Sequence, residues 1–80
     1  MKEFLEYVAR SLVDKPDAVW VEVDEENDDE IVLTLGVDQD DMGRVIGRDG
    51  RIANAIRSLL RVMAAKDGRH VELEIVSDND

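Results

Sequence analysis

Eighty residues and 9.0 kDa, 44% of them apolar, supply one small core and no second one. The lack of cysteine excludes a disulfide framework or a thiolate metal site, and no apolar run approaches the roughly 18 residues that span a bilayer, so a cytoplasmic protein without membrane association is expected. A formal charge of −10 argues against a polyanion partner until its distribution is followed: residues 44–69 hold seven of the ten Lys/Arg and only two of the twenty Asp/Glu.

Phe4, Leu5, Val8, Ala9 and Leu12 recur on one helical face, with Glu3, Glu6 and Arg10 turned away. This spacing predicts a helix from residue 3 to about 14, ended by Lys15-Pro16. From Ala18 to Asp24, Val19, Val21 and Val23 alternate with Trp20 and Glu22, the pattern of a half-buried strand, and Trp20 is expected on the face opposite the valines, exposed or at an interface. Asp24 to Glu30 reads as a solvated hairpin loop, since it lacks the glycine and distant glutamate of an EF-hand. Ile31, Leu33, Leu35 and Val37 then predict a second strand, returning antiparallel to the first.

Asp38 and Asp40 are alternative N-caps for a short helix carrying Met42, Val45 and Ile46 and stopping at Gly47. A longer helix starts at or just after Gly50. Its apolar half comprises Ile52, Ala53, Ala55, Ile56, Leu59, Leu60, Val62 and Met63, and its other half Arg51, Asn54, Arg57, Ser58 and Arg61. Asp67-Gly68 ends it, and Val71, Leu73 and Ile75 alternate with Glu72 and Glu74 as a third strand over residues 70–76, followed by a tail, 77–80, expected to fray. Three strands with one apolar face need cover, so the fold class is α+β, in the order α-β-β-α-α-β, with three helices on one face of a three-stranded sheet.

Between the second and third helices lies Val45-Ile46-Gly47-Arg48-Asp49-Gly50-Arg51-Ile52. Gly47 and Gly50 permit backbone angles and close approaches that a Cβ forbids, so amides and the following helix start can face an anion. Arg48 and Arg51 add charge at the rim. Asp49 sets a carboxylate where phosphate would lie, which lowers affinity unless the side chain caps the next helix, the favoured reading. Ile46 and Ile52 flank the loop as core residues, or as an apolar floor for a base.

This motif, in this order of elements, resembles the KH domain in its bacterial, type II arrangement, over the whole of residues 1–80 as a single domain. The resemblance implies that the loop clamps the backbone of about four nucleotides of single-stranded RNA, with the bases in an adjacent apolar groove. Its RNA-binding set here is Gly47, Arg48, Asp49, Gly50, Arg51, Ile46 and Ile52, with Arg44 as an extension. It further implies a homodimer, or a heterodimer with a larger protein of the Jag (KhpB) type that carries its own KH domain, and a role as an RNA chaperone or post-transcriptional regulator in cell elongation and division. Arg57 and Arg61, four apart, read first as a solvated face.

No catalytic arrangement, metal site, cofactor motif or small-molecule site is expected. His70 is the single histidine, Ser11 and Ser58 have no base and orienter, and the glycines fit neither a Walker A loop nor a dinucleotide fingerprint. The rival reading is a KH fold that binds protein, with Asp49 and the acidity as marks of a lost RNA site.

Overall fold

The computed structural model describes residues 1–77. Its elements are α1 (Lys2–Leu12), β1 (Trp20–Glu25), β2 (Glu30–Val37), α2 (Met42–Ile46), α3 (Arg51–Lys66) and β3 (His70–Ser77), with single 3-10 turns at Pro16–Ala18, Gln39–Asp41 and Arg48–Gly50. The expected α+β order is met. Ser77 ends β3 rather than starting a tail, and the rest of the predicted tail, 78–80, lies outside the described residues.

The sheet order is β1-β2-β3. β1 and β2 are antiparallel, pairing Trp20 with Gly36 and Glu22 with Thr34, whereas β2 and β3 are parallel, pairing Ile31 with Val71 and Leu33 with Leu73. A parallel neighbour needs a long crossover, and α2, the glycine loop and α3 supply it. The loop is therefore the bend of a helical crossover between two adjacent strands. At its far end Gly68 N–H bonds Ala65 C=O and Arg69 N–H bonds Ala64 C=O, each at 3.0 Å, a Schellman closure that returns the chain to the sheet.

Leu33, Leu35 and Val37 of β2, Leu5 and Ala9 of α1, Val45 of α2 and Ile56 and Leu60 of α3 form the core. The central strand buries most because it has a neighbour on each side and helices above it. Two expectations fail at the margin of this layer. Val23 remains 40% exposed on the edge strand β1, and Leu59 and Val62 are 51% and 59% exposed. Only Ala53, Ile56, Leu60 and Ala64 of α3 are buried, because a helix lying on a sheet covers a stripe narrower than the apolar half seen in the sequence.

The alternate positions of the strands face away from the helices. Trp20 is half-buried there, its indole lying on Gly36 so that a Cβ at that position would overlap the ring. Below it, Glu22, Asp24, Glu72 and Glu74 surround Val32 and Thr34, which makes this sheet face acidic.

Among the acids before α2, the side chain of Asp38 caps the 3-10 turn, accepting from Asp40 N–H at 2.9 Å. That bond first, and the nearby Lys15 second, hold the Asp38 carboxyl below its usual range, while the hydrogen bond to Asp40 and the charge of Asp38 raise Lys15. Asp41 is different: it is 2% exposed and its two oxygens accept the N–H groups of Asp14 (3.1 Å) and Lys15 (3.0 Å). It ties the segment after α1 to the start of α2, and so fixes the helix that leads into the glycine loop.

Candidate nucleic-acid interface

α2 closes when Gly47 N–H bonds Gly43 C=O at 2.9 Å, and the chain then turns through three left-handed residues. Gly47 has φ 74° and ψ 175°, Asp49 φ 57° and ψ 23°, and Gly50 φ 75° and ψ 16°. Gly47 is required twice, by this backbone and by the approach of Ile52, whose Cγ1 would stand 2.7 Å from a Cβ. At Gly50 the backbone angle alone selects glycine, since the nearest atom to a Cβ is Asn54 Nδ2 at 3.8 Å.

The capping role expected of Asp49 is not met. Gly50 is the N-cap of α3, and no side chain caps that helix. Because Asp49 and Gly50 are both left-handed, Asp49 lies one residue too early to reach the first-turn amides. It holds its place as one of the few non-glycine types that tolerate this conformation. Arg51 N–H, the first of the 16-residue helix, bonds Arg48 C=O, and no side chain takes the first-turn amides that follow it.

The site arginines divide by their partners. Arg48 and Arg51 are exposed and, among the described residues, make no ion pair. Arg44 is engaged, its Nη2 3.0 Å from Asp14 and its Nε 3.6 Å from Asp41. Ile46 and Ile52 are both half-buried and packed on the core, so they support the loop from beneath. The structure thus brings Gly47, Arg48, Asp49, Gly50 and Arg51 to one surface and sets Arg44 behind it, held by acids.

A cleft of about 230 Å³ runs beside α3, lined by Arg57, Leu60 and Arg61 on one wall and Val71, Glu72 and Leu73 on the other. Beyond it, Arg61, Arg69 and His70 line a second hollow at the turn between α3 and β3. Sequence spacing put Arg57 on a solvated face. In the fold it is half-buried, with Nη1 3.3 Å from Asn54 Oδ1 and Nη2 donating to Leu73 C=O at 3.5 Å. Only the contact with β3, sixteen residues on, reveals this wall. No run of like residues could have signalled it.

The family model described as KhpA/KhpB, KH domain, matches residues 2–75. The chain is 46% identical over 76 residues to the RNA-binding protein KhpA of Clostridium perfringens, covering 95% of this chain and all of that one. It is 50% identical over 74 residues to the RNA-binding protein KhpA of Borreliella burgdorferi, covering 92% and 89% of the two chains. Against the RNA-binding protein KhpA of Chlamydia trachomatis the identity is 41% over 78 residues, covering 98% and 99%. No solved structure matches the chain. With a mixed three-stranded sheet, three helices and the glycine loop at the bend of its crossover, the chain belongs to the KhpA/KhpB family of KH domains.

Proposed function

We propose that this protein binds single-stranded RNA without enzymatic activity, in the cytoplasm. Gly47-Arg48-Asp49-Gly50 grips the sugar-phosphate backbone and the bases enter the cleft between α3 and β3. The observation that carries this reading is the pair of unengaged arginines, Arg48 and Arg51, on a left-handed loop at an uncapped helix start. The curated relatives are named RNA-binding proteins, which supports the same reading. Ile46 and Ile52 hold the loop up from the core, and Arg44, already neutralised by Asp14 and Asp41, contributes at the edge. Asp49 keeps a carboxylate near the phosphates, so a single site binds weakly.

Replacing Arg48 with Asp and Arg51 with Ala is expected to weaken binding of oligoribonucleotides about tenfold or more at low salt, whatever their sequence. It should flatten the slope of log affinity against log salt by about 1 to 1.5. Fluorescence anisotropy at several salt concentrations measures both; unchanged affinity in the double variant would contradict clamping at the loop, and no RNA binding at low salt would leave the protein-binding use of the fold as the better account.

A weak site needs a second one. The proposal therefore includes a dimer, of this chain with itself or with a larger KH protein of the Jag (KhpB) type, and a role as an RNA chaperone or post-transcriptional regulator in cell elongation and division. Leu59 and Val62, exposed one turn apart on α3, support self-association. Val62→Asp is expected to convert dimer to monomer in analytical ultracentrifugation without loss of fold. A wild-type chain that sediments as a monomer at tens of micromolar and does not pair with such a partner contradicts this part. Restoration of normal cell length in a deletion strain by the wild type, and not by the loop double variant, tests the cellular role.

A further inference from the structure

The helices cover one face of the sheet and leave the other bare. The strand register sets the side chains of the bare face in rows: Trp20, Gly36 and Val76, then Glu22, Thr34 and Glu74, then Asp24, Val32 and Glu72. The central strand is thus neutral here. Thr34 and Val32 form a half-buried furrow between two exposed acidic rails, Glu22 and Asp24 on β1 and Glu72 and Glu74 on β3. A shallow hollow of about 520 Å³ follows the furrow, and the indole of Trp20, laid over Gly36, closes one end of it.

The rails have no partners. The three strands contain no lysine or arginine, and among the described residues none of the four carboxylates makes an ion pair. Neighbouring acids stand about 7 Å apart along a strand and about 10 Å apart across the furrow. These separations are near the reach of a charge at physiological salt, so the face repels itself in the free protein. Charge of either sign on an edge strand discourages strand pairing. That need accounts neither for one sign on both edges nor for the uncharged floor and the tryptophan between them.

We propose that this face docks an extended, arginine- and lysine-rich segment of another protein, on the side of the domain away from the glycine loop. An extended chain laid along β2 sends successive side chains to opposite sides, with same-side residues about 7 Å apart, the spacing of the acids on each rail. Four consecutive basic residues therefore meet the two carboxylates of each rail. Their aliphatic stems lie on Val32 and Thr34, and an arginine at the end of the run stacks on Trp20. Each exposed ion pair is weak alone, so their number decides the affinity. The charge of the rails excludes RNA. The sequence excludes a second copy, since no two of this chain's ten basic residues lie closer than three apart. The docked segment and RNA occupy opposite faces, so one domain holds both at once.

Trp20 is the single tryptophan and reports on this face. The test titrates the full chain with hexa-arginine at about 0.15 M salt and follows tryptophan emission. Wild type is expected to show a saturable change. Glu22→Gln with Glu74→Gln, and separately Asp24→Asn with Glu72→Gln, are each expected to weaken the peptide about fivefold or more. Glu3→Gln with Glu6→Gln takes the same charge from α1, on the helix side, and should change the affinity less than about twofold. The sheet variants keep the shape of each side chain and lose only repulsion, so both fold. No emission change in wild type, or equal weakening in the sheet and α1 variants, overturns the docking face, the second result leaving only general attraction to an acidic chain. An emission change with a short single-stranded oligoribonucleotide and none with hexa-arginine gives the face to RNA and overturns it too.

Discussion

Replacing Gly47 with Ala is expected to cost about 3 kcal/mol of folding stability, a drop of about 12–20 °C in Tm for a domain of this size. At φ 74° and ψ 175° the residue lies in a region of backbone space that is essentially open to glycine alone. The added Cβ would also come within 2.7 Å of Ile52 Cγ1 and 3.0 Å of its Cδ1, and Ile52 is packed on the core and has little room to withdraw. A domain of this length has about 4–12 kcal/mol in total, so the loss is a large share. Gly43→Ala is the control. It lies inside α2 with ordinary angles and nothing within 4 Å of a Cβ, so it should leave Tm unchanged or raise it by a few degrees. Thermal melts followed by circular dichroism compare the two, and equal Tm values would mean that the loop does not hold the described conformation.

Asp41→Ala is expected to cost about 2–4 kcal/mol, seen as a lower urea midpoint with an unchanged slope. The carboxylate is 2% exposed and accepts from two backbone amides, those of Asp14 and Lys15. Removing it leaves both donors without a partner in a partly buried place, where each unmet bond costs about 1–3 kcal/mol. Arg44 also loses the longer of its two ion pairs, at 3.6 Å, and keeps the one to Asp14. Asp41→Asn keeps one oxygen to accept and should lose roughly half as much. An alanine variant as stable as wild type would show that the segment after α1 is not fastened to α2 through this side chain.

The order of elements was legible because each has its own period: alternation in Val19, Val21 and Val23, helical spacing in Phe4, Leu5, Val8 and Leu12, and glycines where the crossover bends. Gly47 and Gly50 were legible for the same local reason. What escaped depends on contacts between distant residues. The outward turn of Leu59 and Val62 is set by how α3 lies on the sheet, not by its own sequence, which is apolar over half its circumference. Asp41 follows Asp38 and Asp40, the two acids that the spacing offers as caps, and only the approach of Asp14 and Lys15 singles it out as buried. Asp49 misled in the opposite sense: its type fits an N-cap, but two successive left-handed residues move the cap to Gly50. Arg57 looked solvated because its partner, Leu73, belongs to another element.

The central claim is that RNA lies on the loop and in the cleft beside α3, away from the acidic sheet face. Mapping amide chemical-shift changes by NMR as a short single-stranded oligoribonucleotide is added tests it most directly. The account predicts the largest changes at Gly47 through Arg51 and along Arg57, Val71 and Leu73, with little at Glu22, Thr34 and Glu74. Changes centred on Trp20, Glu22 and Thr34, or none at low salt, would contradict it.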